Sequence, residues 1–363
     1  MTKAPVTPFA AAGIGVVVLM ALLAAWGIAG TPASVRGGLP AAGAPPAPES
    51  TATVPFTLER GASAGDVGRR LEELGVIRSA RQFEMLARLM GVQGLLSAGD
   101  YLLPERASAL SVIQLLTVRE AVPVLRVTFP EGLRIEEMAV IAEQAGFGPR
   151  DEFLAAAARA RLPAGLAEYL PEGATLQGYL FPDTYIMPVG STMDDLVAYM
   201  IRTLDERFTP ELRAAAAARG LNPHQALTLA SIVEREAVIP EERPLIAGVF
   251  YNRLAAGDRL GADPTVQFAV AQDPASVRQY GWWKKELTII DLENPSPYNT
   301  RLFPGLPPGP IACPGLASIE AVARPAATDY YHFVADAKKG DGSHVFAVTF
   351  AEHERNIALY GAP

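Results

Sequence analysis

Two glutamates at the end of an otherwise uncharged helix are the residues of this sequence best suited to acid–base chemistry. They close the run Asn222-Pro223-His224-Gln225-Ala226-Leu227-Thr228-Leu229-Ala230-Ser231-Ile232-Val233-Glu234-Arg235-Glu236. A carboxyl in apolar surroundings, at the negative end of a helix dipole, keeps its proton to higher pH, and a general acid near neutrality needs that property. Positions two apart lie about 200° apart around a helix, so Glu234 and Glu236 cannot enter the same pocket. Glu234 continues the stripe of Leu227 and Ala230, and Glu236 continues that of Leu229, Ile232 and Val233. Spacing alone does not choose between them. It is equally compatible with both being exposed, or paired with Arg235, Arg243 or Arg253.

The helix that carries the pair is well specified. Asn222 is a good N-cap, Pro223 suits the first turn, and Gln225 completes a capping box. No charge occurs from Ala226 to Val233, so the helix must be buried nearly all round. It belongs to a helical stretch over 191–240 that Pro223 interrupts, and a further helix is expected over Leu245–Leu254. From Asp258 to Pro314 the density of Pro and Gly predicts long ordered loops. Tyr330–Phe350 reads as a β-hairpin turning around Lys338–Ser343. A last helix starts near Thr349, with Glu352 placed for a capping box. Upstream, Thr57–Gly75 aligns without gaps on Thr128–Gly146, and Tyr101–Glu105 resembles Tyr179–Asp183. Each copy reads as a strand, a Gly turn and an amphipathic helix ending at Gly, a duplicated small βα unit. Mixed elements without regular βαβ alternation place the chain in the α+β class.

Bulk properties remove several function classes. The net charge of −8 argues against a nucleic-acid binder, which needs clustered Lys and Arg. Cys313 is the single cysteine, so no intrachain disulfide forms and a Cys/His zinc site is nearly excluded. His224, His332, His344 and His353 lack metal-ligand spacing, and no phosphate-binding glycine loop occurs. No metal and no cofactor are expected. Phe9–Ala29 is apolar throughout and uncharged. As a helix it would span about 31 Å, enough to cross a bilayer core of roughly 30 Å. The expected layout is a cytoplasmic N-terminus (1–8), a transmembrane helix (9–29), a Pro/Gly/Ala linker (30–53) and an exported remainder.

A set of short segments then narrows the reading. These are Gly178-Tyr179-Leu180-Phe181-Pro182-Asp183-Thr184-Tyr185, Ala230-Ser231-Ile232-Val233-Glu234-Arg235-Glu236, Val249-Phe250-Tyr251-Asn252-Arg253-Leu254 and Asp263-Pro264-Thr265-Val266. Tyr298-Asn299-Thr300, Gly305-Leu306-Pro307-Pro308-Gly309-Pro310-Ile311, and His332-Phe333-Val334-Ala335 with His344-Val345-Phe346 complete it. In this order they resemble the YceG/MltG family of membrane-anchored endolytic murein transglycosylases, over nearly the whole chain. The resemblance implies a LysM-like subdomain (54–121) and a YceG-like catalytic domain (122–363). It maps the family's catalytic glutamate, directly after Ser-Ile-Val, onto Glu234, with Glu236 as the alternative acid. Asn252, Asp263, Thr265, Tyr298 and Asn299 lie in matching segments and are the candidates for binding sugar hydroxyls or orienting Glu234. For Asp263 a salt bridge to Arg253 is a competing role. The chain departs from the family at Gln177, usually Glu, at Gly261-Ala262, and at Cys313, commonly Asn.

The implied reaction cuts the β-1,4 bond between N-acetylmuramic acid and N-acetylglucosamine in peptidoglycan strands. The sugar's own 6-hydroxyl closes on C1, leaving a 1,6-anhydro end. An intramolecular nucleophile has a high effective concentration, so no second carboxylate is required to activate water. The implied partners are glycan strands, peptidoglycan synthases and the membrane, at a single-pass site in the inner membrane with the catalytic part outside the cytoplasm. Two other readings compete. One is a peptidoglycan glycoside hydrolase with Glu234 as acid and Asp263 activating water. The other is a non-catalytic LysM-like wall-binding tether. Trp282 and Trp283 could stack on sugar rings, or simply pack a loop beside Lys284 and Lys285.

Overall fold

The computed structural model describes residues 53–117 and 124–361. The expected membrane span and the linker up to residue 52 lie outside the described residues, whereas Thr53 already belongs to a strand. Among the described residues no helix is long and apolar enough to cross a membrane. The chain divides into two compact units between Pro123 and Val124.

The first unit runs β1 (Thr53–Leu58), α1 (Ala64–Glu73), α2 (Ala80–Leu89), β2 (Gly99–Pro104), α3 (Ala109–Thr117). The strands are antiparallel, with Phe56 opposite Tyr101 and Val54 opposite Leu103. Alternation along each strand turns Phe56, Leu58, Tyr101 and Leu103 to one face. That face closes over Leu71, Phe83, Val112, Ile113 and Leu116.

The second unit opens with β3 (Val124–Thr128), α4 (Ile135–Gln144), α5 (Arg150–Arg159), α6 (Ala164–Ala167) and β4 (Thr184–Pro188). Helices α7 (Met193–Arg207), α8 (Pro210–Ala217), α9 (Pro223–Glu236) and α10 (Arg243–Ala255) follow. Next come α11 (Asp263–Val270), α12 (Pro274–Tyr280), α13 (Ile289–Leu292) and α14 (Leu316–Ala323). A hairpin of β5 (His332–Ala335) and β6 (His344–Ala347) and a final helix α15 (Phe350–Tyr360) end it. The described strands pair only as antiparallel couples, β1–β2, β3–β4 and β5–β6, so the fold is α+β. The hairpin and the Thr349–Glu352 capping box stand where the sequence puts them. Residues 258–314 are more regular than a loop reading allows. Prolines at the first or second position start α11 and α12, where a missing N–H costs nothing.

The internal duplication is visible in the backbone, with one correction. In both copies a strand leads through a left-handed glycine, Gly61 or Gly132, into a helix followed by Gly75 or Gly146. The equivalent threonines make equivalent cross-strand bonds: Thr57 Oγ1 donates to Asp100 Oδ1 at 2.7 Å, and Thr128 Oγ1 meets Thr184 Oγ1 at 2.8 Å. The strand partners, however, equate Tyr101 with Tyr185 and not with Tyr179. Tyr101 faces Phe56 and Tyr185 faces Val127, the position aligned with Phe56. Tyr179 lies before the strand, and its hydroxyl meets His224 Nδ1 at 2.8 Å.

Helix α9 runs through the core of the second unit, packed against α8, α10, α11 and α14. Its start is as expected: Asn222 Oδ1 accepts from Gln225 N at 2.9 Å and Gln225 Oε1 accepts from Asn222 N at 3.0 Å. Leu227, Leu229, Ala230, Ile232 and Val233 are fully buried. At roughly 1.5–3 kcal/mol for each large apolar side chain, that burial outweighs the modest helix propensity of the β-branched residues. The core thereby fixes where the helix ends, and with it the position of Glu234.

Candidate active site

Glu234 reaches from the last turn of α9 to the start of α14. Its Oε2 accepts from Ser318 Oγ at 2.7 Å and from the Gly315 backbone N–H at 3.1 Å. Its Oε1 accepts from Arg243 Nη2 at 3.2 Å. The side chains of Glu234 and Arg243 are 6% and 11% exposed, so this is an ion pair largely withdrawn from water. Gly315 is the N-cap of α14 and has no side chain to offer its orphan N–H groups, so Glu234 supplies that cap from another helix. The positive end of the α14 dipole then faces the carboxylate. The sequence suggested apolar surroundings; the structure instead surrounds Glu234 with donors, because α10 and the start of α14 converge on it. Of the three candidate arginine partners, Arg243 is the one that pairs.

A turn between β3 and α4 presses on the same spot. Gly132 takes φ +77° and its Cα packs beside Glu234 Cγ and the Arg235 stem. The turn is tied to the loop before α14: Gly132 N donates to Cys313 O at 2.9 Å and Cys313 N donates to Leu133 O at 2.7 Å. Glu131, next in the turn, lays its carboxyl so close to the Gly315 Cα that any side chain there would overlap it. Glu131 remains exposed, yet the desolvation it does undergo, and then the charge of Glu234, push its carboxyl above the usual glutamate range; Arg243 opposes this and Asp183 adds to it. Two of the departures from the family pattern underlie this turn: Gln177 Oε1 accepts from Ile135 N at 3.1 Å, and Gln177 Nε2 lies 3.9 Å from Cys313 Sγ.

Glu236 leaves the helix in a different direction, as the angular argument requires. It retains some solvent contact, but its carboxyl is crowded and accepts from the backbone N–H of Asp263. Burial first, and the Asp263 charge second, push it up to about 8, against the pull of Arg301 and Arg253. Asp263 pairs with Arg301 Nε at 2.5 Å, not with Arg253. Arg253 is occupied elsewhere, donating to Tyr331 O at 2.7 Å and to Leu260 O.

The remaining candidates divide by what their polar atoms already do. Thr265 and Asn299 are fully buried. Thr265 Oγ1 donates to Ala262 O at 2.6 Å and lies 2.9 Å from Thr300 Oγ1. Asn299 Nδ2 donates to Leu292 O and Asn294 O, at 2.9 and 2.8 Å, and its Oδ1 accepts from Arg301 N at 3.0 Å. Both are buried and use their polar atoms to hold one loop to another. Asn252 spends both amide hydrogens on Thr328 O and Tyr330 O, each at 2.8 Å, fastening the segment before β5. Tyr298 is half-buried on Phe268, with ring centroids 4.7 Å apart. The tryptophan faces are taken by arginines: Arg134 lies 4.6 Å over Trp282, and Arg235 lies 3.9 Å over Trp283. Trp283 Nε1 also donates to Glu137 Oε2 at 3.0 Å, and Lys284 is paired with Asp291 at 2.6 Å. Among the described residues no cluster of His, Cys, Asp or Glu is arranged to hold a metal.

Glu131, Gly315 and Ser318 were not singled out from sequence. Glu131 sits in the second copy of the duplicated unit opposite Arg60 of the first, and that break in the repeat was the available signal. Nothing local marks Gly315 or Ser318.

Comparison with known proteins identifies the family. A model of the YceG-like family matches residues 56–359. A Bacillus subtilis (strain 168) protein named endolytic murein transglycosylase is 31% identical over 325 residues, covering 86% of this chain and 86% of its own length. A protein of the same name from Streptococcus pneumoniae serotype 2 (strain D39 / NCTC 7466) is 30% identical over 324 residues. There the match covers 83% of this chain and 57% of the relative, so the chain spans little more than half of that longer protein. The crystal structure of a YceG-like protein from Listeria monocytogenes superposes with a TM-score of 0.55 at 28% identity, over 84% of this chain and 99% of that one.

Proposed function

Since the chain belongs to the YceG-like family, we propose that it is an endolytic murein transglycosylase with Glu234 as its acid/base. The observation that carries this is the placement of one carboxylate at the end of a buried helix, oriented by Arg243, Ser318 and Gly315. Oε2 is occupied by two donors and Oε1 by one, so Oε1 keeps the lone pair that can carry a proton. In the proposed reaction that proton passes to the oxygen linking N-acetylmuramic acid to N-acetylglucosamine. The C1–O bond breaks through an oxocarbenium-like state. The 6-hydroxyl oxygen of the same muramic acid bonds to C1, and its proton returns to Glu234. No water is consumed, and the strand ends in a 1,6-anhydro sugar. The donors around Glu234 hold its carboxyl in one orientation through both halves of the reaction.

The hydrolytic alternative needs Asp263 to activate water opposite Glu234, but the Asp263 carboxylate is engaged by Arg301. The tether reading has no use for a buried, oriented carboxylate. The apolar run Phe9–Ala29 and the Pro-rich segment after it support a single-pass anchor in the cytoplasmic membrane, N-terminus inside. The first unit is the candidate LysM-like subdomain and the second the catalytic domain. An anchored cutter would act on nascent strands beside the synthases that make them. Digestion of purified peptidoglycan, with products read by mass spectrometry, tests the reading. Anhydro-muramyl ends that disappear in Glu234→Gln are expected; reducing ends, or undiminished cleavage by a folded Glu234→Gln, would overturn it.

A further inference from the structure

The two halves of the Glu234–Arg243 ion pair stand at opposite ends of one short connection. Glu234 lies in the last turn of α9, and Arg243 is the first residue of α10. Residues 237–242 join them and end in a single 3-10 turn, Pro240–Glu242. Whatever holds that connection sets where the guanidinium meets the carboxylate. Ser318 holds the Arg243 side chain, its Oγ 3.1 Å from Nε. The backbone that carries Arg243 is held from elsewhere, by the β5–β6 hairpin near the end of the chain.

The hairpin grips the connection near both of its ends. Gly342, at φ +83°, lies so close to Val238 that any side chain there would overlap it. Two residues on, His344 takes both oxygens of Glu242. Its backbone N–H donates to Oε1 at 3.0 Å, and its Nδ1 lies 2.7 Å from Oε2. The side chains of His344 and Glu242 are only 8% and 13% exposed, so water competes little for the contact. A carboxylate only accepts, so against it Nδ1 is the donor. Glu242 stands at the N-cap of α10, where an acidic side chain can bond the free N–H groups of its own helix, yet it makes no such bond. It is turned instead to a strand 102 residues away. The His344 ring is braced edge-on by Phe333, with centroids 5.2 Å apart, and Phe333 meets Phe250 of α10 at 5.9 Å.

We propose that Glu242 is a positioning residue for strand cleavage: clasped by His344, it sets the start of α10 so that Arg243 meets Glu234. This rests on the transglycosylase reading. Neither member of the clasp touches sugar; both act through the Arg243 guanidinium. The segment His344-Val345-Phe346 thereby gains a part in the reaction.

The test is steady-state kinetics of strand cleavage by the full-length protein. Wild type is compared with Glu242→Met, Glu242→Gln, Arg243→Lys, the Glu242→Met/Arg243→Lys double variant and Glu234→Gln. Methionine keeps the volume and removes both acceptors. Glu242→Met is expected to lower kcat about tenfold, with KM within about twofold and products still anhydro-ended. Glu242→Gln keeps an acceptor for the His344 N–H and is expected to recover most of kcat. In the Arg243→Lys background, Glu242→Met should cost less than about twofold more, because lysine has no planar fork to orient. An equal loss in both backgrounds would show a general effect on the unit and overturn the proposal. So would unchanged kcat in Glu242→Met, or a loss confined to KM. Should Glu242→Met not fold, His344→Leu against His344→Asn makes the same comparison, since the asparagine amide keeps a donor where Nδ1 stood. Should Arg243→Lys show no turnover, the Arg243 Nε–H signal in ¹⁵N NMR decides. Exchange with solvent about tenfold faster in Glu242→Met supports the clasp, and unchanged exchange overturns it. Undiminished cleavage by a folded Glu234→Gln would sink the underlying reading instead. Full kcat in Glu242→Met beside an inactive Glu234→Gln sinks only the clasp.

Discussion

Ser318 Oγ lies 2.7 Å from Glu234 Oε2, across 84 residues of chain, and 3.1 Å from Arg243 Nε. The guanidinium can only donate, so the hydroxyl accepts from Arg243 and its single hydrogen is directed at Glu234. One serine thus links the anion and its cation, and fixes the rotamer of the carboxylate.

Ser318→Ala removes that link without touching charge. A hydrogen bond to a charged group contributes about 1.5–3 kcal/mol, so kcat should fall by roughly tenfold to a hundredfold. KM should stay within about twofold, because the serine is buried behind the carboxylate and not against the sugar. Steady-state kinetics on purified strands check this.

Glu236→Gln should leave cleavage largely intact and change how stability depends on pH. The folded-state value of about 8 lies above the ordinary 4.5, so the folded protein holds a proton that the unfolded chain releases. The stability this contributes is fully present below about pH 4.5 and is lost as pH rises toward 8. Glutamine removes that loss. The variant should therefore melt higher than wild type at pH 8, with the difference shrinking toward pH 5. Thermal unfolding at the two pH values decides.

Tyr179 and His224 should couple energetically. His224 Nε2 lies 2.9 Å from Pro308 O and donates to it, and in that tautomer Nδ1 accepts from the Tyr179 hydroxyl at 2.8 Å. Tyr179→Phe or His224→Leu each strands a buried polar group, at about 1–3 kcal/mol. The double variant should cost less than the sum of the two, as urea unfolding of the four proteins would reveal.

Gly315→Ala should cost activity more than stability. The new methyl overlaps only the carboxyl end of the exposed Glu131 side chain, which can swing aside, so the melting temperature should move little. The methyl also crowds the backbone N–H that holds Glu234, so strand cleavage should fall. Thermal unfolding beside steady-state kinetics checks this; a large drop in melting temperature would show that Glu131 cannot move.

The sequence by itself determined the elements with local causes. The Asn222–Gln225 capping box, the uncharged run to Val233 and the Thr349–Glu352 start of the last helix depend on neighbours within one or two turns, and all stand as read. The opposed directions of Glu234 and Glu236 follow from helix geometry alone. Prolines after 258 gave a loop signal where several begin short helices, because a first-turn proline and a loop proline look alike in one dimension.

Tertiary structure decided what surrounds each carboxyl. The matched segments around Thr265 and Asn299 look like binding loops, yet their polar atoms are consumed in holding one loop to another. Glu234 and Glu236 have nearly the same sequence context, but one meets the start of α14 and the other the start of α11. Glu131, Arg243 and the Gly315–Ser318 start of α14 come together from separate elements of the second unit, and no spacing rule connects the three. Proton affinity depends on distances of a few ångströms between groups far apart in the chain, and packing sets those distances where local pattern cannot.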